Sequence, residues 1–152
     1  MAMSLWFEVA VRFDKMQENG LVRKTTERYL VDALTFSNAE ERTIEKVTPF
    51  ISGEFSVSVA RKTKIAEIFF DESDYADKWY LVKVNFITLD EKSGKEKKSL
   101  QQILVQAGDF ENALGRFQDG MKGTMADYRI ASISETPIMD VYPYEYKTEG
   151  AE

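Results

Sequence analysis

The sequence predicts an α+β fold in which two similar ββαββ units, each an antiparallel sheet covered on one face by a helix, are related by a pseudo-two-fold axis. Two observations lead to this prediction: the second half of the chain repeats the first, and each half has strand-like alternation on both sides of one helical segment. The expected repeats cover residues 1–70 and 78–143, with an acidic linker at 71–77 and a polar tail at 144–152.

The internal repeat begins at two tryptophans. Residues 6–13 and 79–86 share Trp, Val, Val and Phe in register, and the match resumes after one inserted residue. It continues through the helical segments, where the paired positions are Phe36 and Phe110, Asn38 and Asn112, Ala39 and Ala113, and Arg42 and Arg116. Because so many pairs follow in the same order, we interpret the chain as a duplicated unit.

Each repeat opens with a predicted β-hairpin. Apolar residues occupy every second position from 7 to 13, and those from 80 to 86 do the same, which is typical of half-buried strands. Polar turns containing Gly20 and Gly94 lead to second strands at about 24–33 and 97–107. Shorter alternating segments predict third strands at 55–59 and 128–133 and fourth strands at 65–70 and 138–142.

One helix is predicted between the second and third strands of each repeat. Thr35 and Asp109 are the expected N-caps, because each is followed by Phe and then by Asn-Ala. The helices should cover residues 36–47 and 110–119. Pro49 should end the first helix, and Gly120 should be the C′ residue of the second.

The composition excludes most catalytic chemistry. The 152 residues include neither cysteine nor histidine, so the chain has no thiolate nucleophile, imidazole base, disulfide or usual zinc site. The acids are not kept between repeats, since Asp32 corresponds to Gln106 and Glu41 to Gly115. We therefore assign no catalytic residue, metal or cofactor, and we expect a protein that is not an enzyme.

The two tryptophans suggest a partner surface. By strand alternation Trp6 shares a face with Arg12, and Trp79 shares a face with Lys83, so both should lie on the more polar side of their sheets. An exposed pair of this kind would bind a protein partner or stack on bases. The alternative is that this face packs against the other repeat or a neighbouring subunit, because large aromatic side chains are usually buried.

Positive charge is concentrated on the hairpins, although 26 acidic and 20 basic residues give a net charge of −6. The candidate nucleic-acid contacts are Arg23, Lys24, Lys95, Lys97, Lys98 and Lys122. Lys122 lies in a Gly-Met-Lys-Gly string of the form that clamps a nucleic-acid backbone in KH domains. The alternatives are that hairpin lysines protect sheet edges from aggregation, and that the glycines mark a helix end and a turn.

The segment between the repeats, residues 71–77, contains four acids and no base. A solvated linker is the favoured interpretation. The alternative is a calcium loop, although the glycine and the distant glutamate of an EF-hand are missing.

Several strings of the sequence resemble a known family. They lie at 6–8 (WFE), 29–34 (YLVDAL), 48–55 (TPFISGEF), 67–70 (EIFF), 86–94 (FITLDEKSG) and 120–128 (GMKGTMADY). Over residues 4–143 the chain is similar to a domain-of-unknown-function family of Bacteroidetes and their phages. The resemblance implies a cytoplasmic, phage-associated setting and brings no activity or cofactor. A cytoplasmic location also fits the lack of a signal-peptide pattern and of any apolar run near the roughly 20 residues that span a bilayer, so no membrane contact is expected.

The expected function is that of a non-enzymatic protein-interaction or assembly module of unknown partner. The alternative is a single-stranded nucleic-acid-binding protein that uses the basic hairpins. The fourth strand of the first repeat has little edge protection, so we expect Phe69 and Phe70 to be buried. They would pack against the second repeat, or across the two-fold axis of a homodimer, which we favour slightly.

Overall fold

The computed structural model describes residues 5–144, which form two compact units. The first unit runs to Thr63 and resumes at Ile138, and the second is Lys64–Pro137. The elements in chain order are β1 (Trp6–Met16), β2 (Val22–Asp32), α1 (Phe36–Val47), a 3-10 turn (Thr48–Phe50), β3 (Phe55–Lys62), β4 (Ile65–Phe69), β5 (Lys78–Leu89), β6 (Glu96–Ala107), α2 (Phe110–Gly120), β7 (Asp127–Glu135) and β8 (Ile138–Tyr142).

The fold is mixed α+β, with two four-stranded sheets and two helices, as predicted at that level. The strand order is β3-β1-β2-β8 in the first sheet and β4-β6-β5-β7 in the second. The hairpins and third strands pair antiparallel, but β8 pairs with β2, and β4 with β6, in parallel. The expectation of purely antiparallel sheets is therefore wrong, and the fourth strand of each sequence repeat joins the sheet of the other.

A pair of hydrogen bonds holds the chain at the point where it leaves each sheet. The backbone N–H and Oγ1 of Thr63 both donate to the Trp6 carbonyl oxygen at 2.8 Å. Thr136 donates in the same way to the Trp79 carbonyl oxygen, with both distances 2.9 Å. These bonds hold the end of β3 to β1 and the end of β7 to β5, and the next strand then departs to the other sheet.

The core of each unit lies between its sheet and its helix. In the first unit Phe7, Val9 and Val11 pack with Val31 and, from α1, Ala39. In the second unit the corresponding cluster consists of Val82, Val84, Ile103, Val105, Phe117 and Met121. The predicted inward face of each first strand is thus confirmed.

The helices begin as the sequence predicts. Thr35 Oγ1 accepts from the Asn38 N–H at 3.0 Å, and Asp109 Oδ1 accepts from the Asn112 N–H at 2.8 Å. The side chain of each asparagine also bonds to the residue just before the cap. Asn38 Oδ1 accepts the Leu34 N–H at 3.1 Å, and Asn112 Oδ1 accepts the Gly108 N–H at 3.0 Å. This reciprocal arrangement is a form of capping box.

The role predicted for Gly120 is wrong. It is the last residue of α2, and its φ is not positive, so it is not a left-handed C′ residue. A Cβ at this position would lie 2.5 Å from the Phe69 ring. A larger residue at this position would therefore require the Phe69 ring to move.

The prediction for the two phenylalanines at the end of β4 is half right. Phe69 is partly buried and packs on Phe117, with ring centroids 6.2 Å apart. Phe70 is 51% exposed and contacts Trp79 edge-on at 5.8 Å. Within residues 5–144, no helix is long and apolar enough to cross a membrane.

Candidate functional site

The two tryptophans do not form exposed platforms. Trp6 is 7% exposed and Trp79 is 3% exposed, whereas Arg12 and Lys83 on the same faces are exposed. Alternation correctly separates the tryptophans from the Val/Phe face, but the Trp face is also buried at this end of the strand. Ala10 and Leu30 on that face of the first sheet are 4% and 0% exposed. The tryptophans therefore contribute to the buried part of the molecule.

Ion pairs satisfy the charges that made the Trp6 face look polar. Glu8 Oε2 accepts from Arg28 Nη1 at 3.1 Å, and Glu8 Oε1 accepts from Arg61 Nη2 at 3.4 Å. The Glu8 side chain is 17% exposed, so both cations compensate a carboxylate that has lost much of its water.

The candidate nucleic-acid contacts are exposed but dispersed. Arg23 and Lys24 lie on β2, Lys97 and Lys98 on β6, Lys95 just before β6, and Lys122 after α2. Two have acidic neighbours: Lys97 Nζ is 4.0 Å from Asp90, and Lys122 Nζ is 3.1 Å from Asp119. The hairpin ends, residues 16–24 and 88–98, contain no aromatic residue of the kind on which bases stack, but Lys24 lines a surface cleft together with Phe13 and Phe55. The Gly120–Gly123 string lies at the end of α2 and in the turn before β7.

Hydrogen bonds hold the acidic segment 71–77 to the rest of the second unit. The Asp71 N–H donates to Gln106 Oε1 at 2.9 Å, and Gln106 Nε2 donates to the Ala76 carbonyl at 3.1 Å. Asp71 also pairs with Arg116, and the Tyr75 hydroxyl donates to the capping residue Asp109. The described residues contain no group of three or more acidic side chains placed to hold a metal ion.

A cavity in the first unit is a feature that the sequence did not predict. It has a volume of about 480 Å³, within the range of ligand pockets, and all of its lining lies in the first unit. Its walls come from the C-terminal end of β1, from the middle of β2, from the end of α1, from the 3-10 turn with the two residues after it, and from β8. The parallel pairing of β8 with β2 brings these separate segments together.

Two stacked tyrosines form the floor of the cavity. The rings of Tyr29 and Tyr142 have centroids 5.4 Å apart and an interplanar angle of 13°. The Tyr29 hydroxyl donates to Glu27 Oε1 at 3.2 Å, and Lys15 Nζ lies 4.0 Å from Glu27 Oε2. Burial, followed by the charges of Glu27 and Tyr142, raises the pKa of Tyr29 above its usual range. Burial, followed by the charges of Asp140 and Glu27, raises the pKa of Tyr142 from 10.0 to about 12.

Large apolar side chains surround the mouth of the cavity. Phe50 is 84% exposed, Met16 is 71% exposed and Met139 is 53% exposed, and all three line the cavity. Phe50 ends the 3-10 turn that follows α1, in which Pro49 prevents a regular helical continuation. The arrangement therefore presents an aromatic ring and two flexible thioethers to solvent.

The second unit has apolar side chains at two positions that carry polar groups in the first unit. Phe117 takes the position of Thr43, and its ring packs against Phe69 at 6.2 Å and against Tyr128 at 5.8 Å. Ile103 takes the position of Tyr29. The repeat alignment contains part of this signal, because Tyr29, which lines the cavity, corresponds to Ile103.

A family model matches the chain over residues 5–144, the same part that the structure describes. The chain belongs to the family described as Domain of unknown function (DUF4494). The predicted resemblance to a domain-of-unknown-function family is confirmed at this level. Searches of the curated proteins and of the solved structures returned no match.

The lining of the first-unit cavity combines charged and apolar groups. Its lining has three carboxylates, from Asp14, Glu27 and Asp140, and one amine, from Lys15. With the aromatic floor and the apolar rim, this lining offers both a negative potential and apolar contact area.

Proposed function

We propose that this chain is a non-enzymatic protein-interaction module that holds a partner at the cavity and apolar rim of its first unit. The observation that carries the proposal is the exposure of Phe50, Met16 and Met139 around one cavity. Clustered apolar side chains on a surface mark interaction sites more often than isolated ones do. Aromatic and methionine side chains are also enriched at protein interfaces.

The comparison between the units supports this proposal. The second sheet has the equivalent spatial order of strands, but Ile103 and Phe69 stand at the positions equivalent to Tyr29 and Tyr142. The stacked tyrosine pair is therefore not a requirement of this strand arrangement. Its presence in the first unit fits a binding role that the second unit does not share.

The chemistry of the cavity supports binding better than catalysis. Tyr142 is protonated near neutral pH, as an ordinary tyrosine is, and its raised pKa of about 12 makes it a still weaker acid, so it is a hydrogen-bond donor and not a base. The absence of His and Cys from the sequence leaves the cavity without the commonest nucleophiles and proton carriers.

Site-specific photocrosslinking in the native host tests the proposed function. A photoreactive phenylalanine analogue at position 50 should capture one discrete protein. The matched control is the same analogue at position 125, where Met125 of the second unit is 98% exposed. Capture at position 50 alone supports the proposal, and equal patterns from both positions contradict it.

Light scattering identifies self-association as the source of a crosslink. A single chain has a mass of 17.5 kDa, and a crosslinked species of twice that mass would identify a second copy as the partner. Phe50→Ser should then convert a dimer to a monomer, whereas Met125→Ser should not.

We also infer that the two halves of the chain arose by duplication of one ββαββ unit. The paired N-caps and the Thr63 and Thr136 bonds support this inference. The parallel strand pairs support it further, because their register shifts fall at equivalent positions, between Arg28 and Tyr29 and opposite Gln102 and Ile103. An exchange of fourth strands within the duplicated chain accounts for compact units that differ from the sequence repeats.

A further inference from the structure

We propose that the cavity of the first unit receives a Lys or Arg side chain from a basic, partly apolar segment of a partner protein. This proposal rests on the proposed function and specifies the chemistry of its partner. The juxtaposition that carries it is a stacked pair of tyrosines beside Glu27 and Asp140, inside a ring of exposed apolar side chains.

The charge of the lining selects for a cation. Asp14, Glu27 and Asp140 outnumber the single amine of Lys15. The Glu27 side chain is 14% exposed, so water and salt screen its charge less than that of a surface carboxylate. Lys15 Nζ stands 4.0 Å from Glu27, at the limit of an ion pair. Asp140 is exposed and its Oδ1 accepts the Val141 N–H at 2.8 Å, so an entering cation would approach its other oxygen.

The tyrosine floor suits the rest of such a side chain. Lys and Arg pack their aliphatic stems on apolar surfaces and keep the charged end near a polar group. An aromatic face also attracts a cation that lies within about 6 Å of the ring. The two rings cover one face of each other, and Tyr29 is 9% exposed, so the partly exposed Tyr142 provides most of this surface next to the carboxylates.

The rim favours a protein segment over a free amine. Phe50, Met16 and Met139 extend the apolar lining to the solvent-exposed mouth. A small amine would leave this area uncovered. A segment with apolar residues next to its basic residue would cover it, and the adaptable methionines could follow its shape.

NMR of the full chain with ¹³C-labelled methionine methyl groups tests the proposal. The reporters are Met16 and Met139 at the cavity, and Met125 in the second unit is the internal control. The probes are acetyl-Leu-Lys-Leu-Lys-amide, the same peptide with norleucine in place of lysine, the same peptide with glutamate in place of lysine, and spermidine. The lysine peptide should shift both reporters saturably and leave Met125 unchanged, and the other probes should bind at least about tenfold more weakly.

A charge-removing variant gives a second measurement. Asp140 is exposed, so Asp140→Asn should leave the fold intact and weaken the lysine peptide about tenfold, as expected for the loss of a hydrogen bond to a charged group. Glu67→Gln is the matched control, because Glu67 is exposed at the equivalent position of β4. It should leave the affinity unchanged.

The possible failures are distinguishable. Equal binding of the norleucine peptide, or no effect of Asp140→Asn, would overturn the inference of a cationic side chain while leaving the crosslinking result in place. Equal chemical-shift changes with spermidine would overturn the inference that the ligand is a protein segment. If no probe moves Met16 or Met139, the inference is wrong, and the proposed function is then judged by whether position 50 still crosslinks to a partner.

Discussion

Close contacts at single residues hold the acidic segment, residues 71–77, against the rest of the second unit. Gly108 precedes the N-cap of α2, and a Cβ there would meet the Tyr75 ring and lie 2.6 Å from the Tyr75 carbonyl oxygen. Tyr75 is held in this place, because its hydroxyl donates to Asp109. The Tyr75 ring cannot move away from an added Cβ without breaking its hydrogen bond to Asp109, and the Tyr75 carbonyl oxygen cannot move without a shift of the backbone.

Gly108→Ala should therefore destabilise the protein by about 1–3 kcal/mol, the usual cost of forcing extra volume into a packed region. Gly115→Ala is the matched control, because Gly115 lies inside α2 with no atom within 4 Å of an added Cβ. It should stabilise the helix by up to about 1 kcal/mol. Urea unfolding of the two variants measures both effects, and a neutral Gly108→Ala would contradict the packing described for Tyr75.

The phenol of Tyr142 should make stability fall at alkaline pH. The folded protein holds this proton more tightly than the unfolded chain, since the pKa rises from 10.0 to about 12. The contribution is therefore complete below pH 10 and is lost as the pH rises from about 10 through about 12. Tyr142→Phe should flatten that part of the curve, measured as the urea midpoint at several pH values. A variant that follows the parent curve would contradict the assignment.

The helices depend on their first turns. Thr35→Ala removes the oxygen that accepts the Asn38 N–H, and it should cost about 1 kcal/mol of unfolding free energy. The control is Ser37→Ala, which removes an exposed hydroxyl from the same turn and introduces a better helix former. The control should be neutral or slightly stabilising by the same urea measurement. Equal effects of the two substitutions would show that the cap contributes little.

Local patterns predicted the helices and strands well. Both caps, the start of both helices and the bounds of β8 agree with the structure, because side-chain spacing and capping chemistry act over a few residues. The pairing of β4 and β8 could not be predicted in the same way. A strand of five residues shows which side chains share a face, but its alternation does not identify the strand that it pairs with.

The candidate site depends on that same long-range pairing. Glu27 and Tyr29 belong to β2, Asp140 and Tyr142 belong to β8, and only the parallel pairing places them together. The tryptophans were predicted to be exposed, and this was wrong. Alternation assigned their face correctly, but it did not reveal that this end of the sheet is buried on both sides. In the sequence, the difference between the repeats at Tyr29 and Ile103 falls in the lining of the cavity.

For the chain as a whole, the decisive question is whether a partner covers the first-unit cavity in the cell. Hydroxyl-radical footprinting can compare the oxidation of Met16, Met139 and Met125 in the purified protein and in cells of the native host. We expect several-fold protection of Met16 and Met139 in cells and no protection of Met125, which is 98% exposed in the second unit. Equal oxidation ratios for the three methionines in cells and in the purified protein would contradict a partner-binding role for this cavity.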